Sequence, residues 1–364
     1  MIRAGLIGFG LGGRVFHAPL LSSVDGLELA AILERTTDHA AERYPGLTTH
    51  RTLDAILADA SISLIVVSTP NESHFEYARQ ALEAGKHVVV DKPMCLASAQ
   101  IAELIQFASV RGLLLAPFHN RRWDSDYLTL QKLLKDGPLG RLVYLESTMD
   151  RWRPAPTARV PWKDDPAQGG HLLDLGTHLA DQPLALFGKP EAVDAEIKRE
   201  RDGDGANDAF TLRLRYPGLT MVVSANTLGA FERARYLARG TKGNYRKRGV
   251  DPQEAALGQL TRIPHGPWGT EPASAWGVLG VDVDGGMVTR PVEPIPGDYR
   301  LYYAGIRDAI LGKAPTPVSA LDAWRVARLL EWAVESSETR REIPCNWSEE
   351  PKITFQGTRA DLFG

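Results

Sequence analysis

Over the first third of the chain, short apolar runs alternate with stretches whose apolar residues recur every three to four positions. IRAGLI (2–7), LELAAIL (27–33), SISLIVVS (61–68), KHVVV (86–90) and GLLLAPF (112–118) read as strands. Between them, SHFEYARQALEAG (73–85) and ASAQIAELIQFASVRG (97–112) have helical spacing, each stopped by a glycine, Gly85 and Gly112. Strands apolar on both faces, alternating with helices, predict a parallel sheet covered on both sides.

The pattern changes after about residue 120. WDSDYLTLQKLLKDG (123–137) is helical and RLVYLESTMDRW (141–152) is strand-like. DAFTLRLRY (208–216), LTMVVSAN (219–226) and ARYLARG (234–240) alternate apolar and polar residues, which predicts an open, mostly antiparallel sheet with one exposed face. Residues from about 261 to 297 are rich in Pro and Gly and read as a long loop. DYRLYYAGIRDAILGK (298–313) and SALDAWRVARLLEWAVESS (319–337) read as closing helices. The expected class is α/β: a doubly wound parallel-sheet domain over 1–120 and an α+β domain over 121–364.

The bulk numbers bound the function. A length of 364 residues suits two domains. The net charge of −3 offers no basic surface for nucleic acid or anionic membrane. Cys95 and Cys345 are too few for a disulfide framework. The N-terminus lacks a signal-peptide pattern, and no run of about 18 apolar residues occurs, so the expected location is cytoplasmic.

Two stretches carry candidate chemistry in the first domain. Gly8, Gly10 and Gly13 form G-x-G-x-x-G after the first strand and before a helix, with Gly12 extra. The first glycine permits a tight turn, the second a close approach to a pyrophosphate, the third close helix–strand packing. At the end of the second strand, Glu34 suits a ribose 2′-hydroxyl and favours NAD. Arg35, with Thr36 and Thr37, suits a 2′-phosphate and favours NADP. Asp91-Lys92-Pro93 closes another buried strand, where ligands of open α/β sheets sit; the same three residues also make good turn chemistry.

A third stretch, GGHLLDLGTHLADQ (169–182), gathers His171, Asp174, His178 and Asp181. On a helix Asp174 and His178 share a face, with His171 and Asp181 near the same stripe. Metal binding, a solvated helix face and acid–base work all fit that pattern. The acid–base reading is preferred because His178 titrates nearest neutrality, and no metal is expected.

GFGLGGRVFHAP (8–19), STPNESH (68–74), GKHVVVDKP (85–93), HNRRWD (119–124), the 169–182 stretch and GVDPQE (249–254) together resemble the Gfo/Idh/MocA family of glucose–fructose oxidoreductases and inositol dehydrogenases. GRVFHAP, HNRRWD and DLGTHLADQ most resemble its branch of NADP-dependent scyllo-inositol dehydrogenases. The resemblance implies hydride transfer between a nicotinamide and a carbinol of a cyclic polyol or sugar, with NADP as the expected cofactor and NAD as the alternative. It assigns catalysis to Lys92, Asp174 and His178, and places Thr69, Pro70, Asn71, His74 and Asp91 at the cofactor. Asp91 stands where the family commonly has Glu. Asn120, Arg121, Arg151, Arg153 and Tyr236 are expected at the substrate. His171, where relatives carry a smaller residue, is expected to narrow the substrate pocket. His17, His119, Tyr299, Tyr302 and Tyr303 are weaker pocket candidates. A homodimer or tetramer is implied. The rival functions are a non-catalytic sugar or dinucleotide sensor, and a hydrolase or lyase with a recycled dinucleotide.

Overall fold

The structure is a computed structural model that describes residues 1–155 and 164–352. The first sheet contains β1 (Ile2–Ile7), β2 (Leu27–Leu33), β3 (Thr48–His50), β4 (Leu64–Val67), β5 (His87–Val90) and β6 (Leu115–Pro117), in the order β3-β2-β1-β4-β5-β6. Every pairing is parallel. This 3-2-1-4-5-6 order is that of a doubly wound dinucleotide-binding sheet, whose crevice opens at the carboxyl ends of β1 and β4. The four residues of β4 are all buried, as a central strand covered on both faces requires.

The second sheet is mixed and mostly antiparallel. Its strands are β7 (Leu142–Thr148), β8 (Ala192–Lys198), β9 (Ala209–Tyr216), β10 (Leu219–Asn226), β11 (Tyr236–Gly240), β12 (Gly243–Lys247), β13 (Gly277–Val283), β14 (Gly286–Val292) and β15 (Ile343–Pro344). They run in the order β14-β13-β12-β11-β7-β10-β9-β8-β15, with β7 and β10 parallel. From Phe210 onward burial alternates along β9: Leu212 and Leu214 point into the core, while Thr211, Arg213 and Arg215 face outward. The region expected to be a loop instead contains the β13–β14 hairpin. Its turn residues Asp284 and Gly285 both have positive φ, 53° and 83°, the conformation a two-residue hairpin turn needs.

Helix Thr177–Phe187 and helix Ala320–Thr339 cover the inner face of the second sheet. The longer one starts with a capping box, in which Ser319 accepts from the Asp322 amide and the Asp322 carboxylate accepts from the Ser319 amide. Its first turn also reaches the first sheet, where Ala320, Ala323 and Trp324 join the core under helix Ser98–Val110. On the opposite face of that sheet, Tyr299, Tyr302, Tyr303 and Ile306 pack beside β1. The three tyrosines are therefore core residues. Tyr302 donates to the Pro117 carbonyl, and Tyr299 to Asp124. These two returning segments hold the sheets in fixed relation and so fix the cleft between them.

Candidate functional site

A cavity of about 700 Å³ lies in that cleft. It is lined by Gly8, Gly10 and Gly12, by Glu34, Arg35, Thr36 and Thr37, by Thr69, Pro70, Asn71 and His74, and by Asp91, Lys92, Asn120, Arg121, Arg151, Asp174, His178 and Glu254. Residues more than 240 positions apart thus share one space.

The glycine loop is shaped by contacts that side chains would prevent. Gly8 has φ +96°, and a Cβ there would sit 2.4 Å from the Ser68 carbonyl oxygen. Gly13 lies outside the lining; a Cβ there would sit 2.2 Å from the Gly8 carbonyl oxygen. Gly10 meets nothing within 4 Å, so its backbone is open to a ligand. A helical segment, Gly13–His17, follows the loop directly, and a helix N-terminus suits an anion. This cradle fits the pyrophosphate of a dinucleotide.

At the end of β2 the two opposed residues have different surroundings. Glu34 is buried and accepts from Thr37 Oγ1 at 2.5 Å and from the Ala40 amide at 2.9 Å. Its carboxylate therefore shapes the 34–40 loop. Arg35 is exposed and lines the cavity.

His74 is fully buried between two carbonyls, Nδ1 2.8 Å from Pro93 O and Nε2 2.8 Å from Thr69 O. Burial pushes its pKa down, and a neutral imidazole donates to one of the two. Either way it ties loop 69–74 to the loop that carries Lys92. Asp91 turns back on its own backbone. Oδ1 accepts from the Lys92 amide at 2.8 Å, and Oδ2 accepts from Ser68 Oγ at 3.0 Å, 3.3 Å from His17 Nε2. Burial alone would raise the Asp91 pKa, but His17, Lys92 and His74 hold it well below the usual carboxylate range. His17 is buried against Tyr303 and Asp91 and does not line the cavity.

The Lys92 side chain crosses to the other domain. Its Nζ donates to Asp174 Oδ1 at 2.7 Å and to the Asp174 carbonyl at 2.8 Å. Asp174 sits in a π-turn, Leu172–Gly176, that opens directly into helix Thr177–Phe187. This wider turn changes the face arithmetic: Asp174 bonds Lys92, and no hydrogen bond joins it to His178 among the described residues. Although helical spacing puts Asp174 and His178 on one face, Asp174 is a partner of Lys92. His178 is buried, and its Nδ1 has no hydrogen-bond partner among the described residues. Burial first, then Lys92, Arg121 and His119, push its pKa well below the ordinary histidine value. That environment disfavours its protonated form.

Asp181 leaves the stripe altogether. It accepts from His119 Nδ1 at 2.8 Å and from Arg122 at 2.7 and 2.8 Å, fastening its helix to the domain junction. Three further expectations are corrected. Tyr236 shares the inward parity of Ala238 on β11, so it points under the helix and donates to Gln182 Oε1 at 2.6 Å, outside the cavity. His171 is buried where its backbone pairs with Asn207, and it does not line the cavity. Arg153 is exposed and also lies outside the lining. Asn120, Arg121 and Arg151 do line it. Glu254, which accepts from Arg121 at 2.7 Å, was not singled out in the sequence, although GVDPQE contained it. Among the described residues no group of three or more His, Cys, Asp or Glu is placed to hold a metal. No helix among them is long and apolar enough to cross a membrane.

A 3-2-1-4-5-6 parallel sheet, a glycine cradle at its switch point and a Lys–Asp–His group facing it define an oxidoreductase of the dinucleotide-binding kind. The chain belongs to the Gfo/Idh/MocA oxidoreductase family. Residues 2–119 match its NAD-binding Rossmann fold and residues 131–345 its C-terminal alpha/beta domain. It is 41% identical to the uncharacterized oxidoreductase YdgJ of Escherichia coli, over 94% of this chain and 98% of the relative. It is 34% identical to the scyllo-inositol 2-dehydrogenase (NADP(+)) IolW of Bacillus subtilis, over 94% and 95%. The solved structure of the YPO2259 protein of Yersinia pestis superposes with a TM-score of 0.90 at 43% identity, covering 95% of this chain and 97% of that one.

Proposed function

We propose that this oxidoreductase is a cytoplasmic dehydrogenase that oxidises a carbinol of a cyclic polyol or sugar. The observation that carries this is the Lys92–Asp174 pair and the buried His178, which line the same cavity as the glycine cradle. A bound nicotinamide dinucleotide supplies the hydride acceptor. The neutral His178 imidazole takes the hydroxyl proton as general base. Lys92 Nζ holds the reacting oxygen and stabilises the negative charge that develops on it. Asp174 keeps Lys92 extended across the cleft. The polyol class is supported by the resemblance to IolW, a relative named for scyllo-inositol. An initial-rate screen of inositols and aldoses, followed at 340 nm with NAD and NADP, tests the reading. Stoichiometric reduced nicotinamide is expected; no net absorbance change with any polyol would refute it and favour recycling or sensing.

NADP is the cofactor we favour. The Glu34 carboxylate is engaged within its own loop, while the Arg35 side chain is exposed at the cavity. Arg35→Ala should weaken NADP binding by about 1.5–3 kcal/mol, the worth of a hydrogen bond to a charged group, and leave NAD binding nearly unchanged. Equal losses for both nucleotides would overturn the assignment.

A further inference from the structure

Besides Arg35, three cations line the cavity, and two of them are paired. Lys92 is held by Asp174. Arg121 is held by Asp124 at 3.2 Å and Glu254 at 2.7 Å. Arg151 lines the same wall and has no ion-pair partner among the described residues. Its backbone amide donates to the Asn226 carbonyl at 2.9 Å, fixing the chain where β7 runs out beside β10. Asp174 and Glu254 are near enough to attract the guanidinium, while Arg153 and Arg121 are near enough to repel it. Burial is the largest influence on this group and disfavours its charged form. A largely buried guanidinium with no ion pair at contact distance among the described residues is costly, even with those two carboxylates in reach. A ligand anion would offset that cost.

We infer that Arg151 receives an anionic substituent of the substrate, a carboxylate or a phosphate on the sugar or polyol, with the reacting carbinol turned toward Lys92 and His178. This rests on the dehydrogenase reading above. The guanidinium is a planar fork that matches either anion with two parallel hydrogen bonds. The dinucleotide's own pyrophosphate has the glycine cradle, whereas Arg151 neighbours Asp174 and Glu254. The charge is a handle only. The carbinol hydride goes to the nicotinamide and the hydroxyl proton to His178, and the anionic group is unchanged.

The test compares D-glucose, D-glucuronate and D-glucose 6-phosphate as probes. Binding is read by titration calorimetry on full-length protein loaded with reduced dinucleotide, and turnover is read at 340 nm with the oxidised form. At least one anionic probe should bind roughly 10- to 150-fold more tightly than glucose, the span of a hydrogen bond to a charged group. Which anion gains separates an acid sugar from a sugar phosphate. Arg151→Met should abolish the advantage, and Arg151→Lys, which keeps the charge without the fork, should restore part of it. A circular dichroism melt checks that both variants fold. No anion advantage in the native protein, an advantage that survives Arg151→Met, or failure of all three probes to bind would each overturn the inference. Turnover of neutral sugar without an anion advantage defeats this inference alone. Arg151-dependent anion binding with no hydride transfer to any probe defeats the dehydrogenase reading and leaves the anion site standing.

Discussion

Replacing Asp174 with Asn keeps the side chain's size and removes its charge. In the native protein Lys92 Nζ lies 2.7 Å from Asp174 Oδ1, and the lysine side chain is 19% exposed against 5% for the aspartate. Two unit charges at that distance attract by roughly 6 kcal/mol at an effective dielectric of 20. Desolvation and partial exposure offset much of this. The bond from Lys92 to the Asp174 carbonyl also survives the substitution. A net coupling of about 2–3 kcal/mol is therefore expected in a double-mutant cycle of wild type, Asp174→Asn, Lys92→Met and the double variant. The cycle isolates this pair as long as neither single substitution makes a new contact. Urea denaturation of the four apo proteins supplies the stabilities. In parallel, Asp174→Asn should lower kcat about 10²- to 10³-fold, comparable to losing one donor to a developing oxyanion. A coupling below about 0.5 kcal/mol, the ordinary limit of additivity between independent sites, would show that Lys92 does not rest on Asp174 in solution.

His178 should titrate below its ordinary value of about 6.5, because burial and the Lys92 and Arg121 charges disfavour its protonation. A base is lost as pH falls through its pKa, so the acid limb of kcat/KM should lie below pH 6.5. Lys92→Met should move the His178 NMR titration upward, and an unchanged midpoint would contradict the assigned cause. Gly10→Ala should leave the melting temperature unchanged and weaken dinucleotide binding at least about tenfold, since the added methyl meets only the ligand's space. Gly13→Ala should instead destabilise the protein, because its methyl meets the Gly8 carbonyl; the reverse pattern would displace the cradle from this loop. The uncovered face of the second sheet, with Thr211, Arg213 and Arg215 outward, is expected to pair with a second copy. Light scattering should report a dimer or tetramer, and a stable monomer at micromolar concentration would refute it.

Most of the first sheet was legible because central parallel strands are apolar on both faces, as in LIVV and HVVV. Its edge strand was not: TTH is three residues long and polar, and only pairing with β2 makes it a strand. The β13–β14 hairpin was obscured by the proline and glycine content around it, although Asp284-Gly285 carried a hairpin signal of its own. In the site, the motif residues Lys92, Asp174 and His178 were readable, but their pairing was not. Helical spacing links Asp174 to His178, and one π-turn together with a lysine 82 positions away decides otherwise. Tyr236 was misplaced for a related reason. Its direction depends on contact with Gln182, and periodicity does not specify long-range partners.

The single cavity running from the glycine cradle to Arg151 has a kinetic consequence. A substrate bound first would rest against open space where a dinucleotide would lie; bound second, it would have the dinucleotide as one wall. Ordered entry, dinucleotide before substrate, is therefore expected, with the oxidised product leaving before the reduced dinucleotide. Product inhibition would display that queue: the reduced dinucleotide should compete with the oxidised one, while the other product should compete with neither substrate.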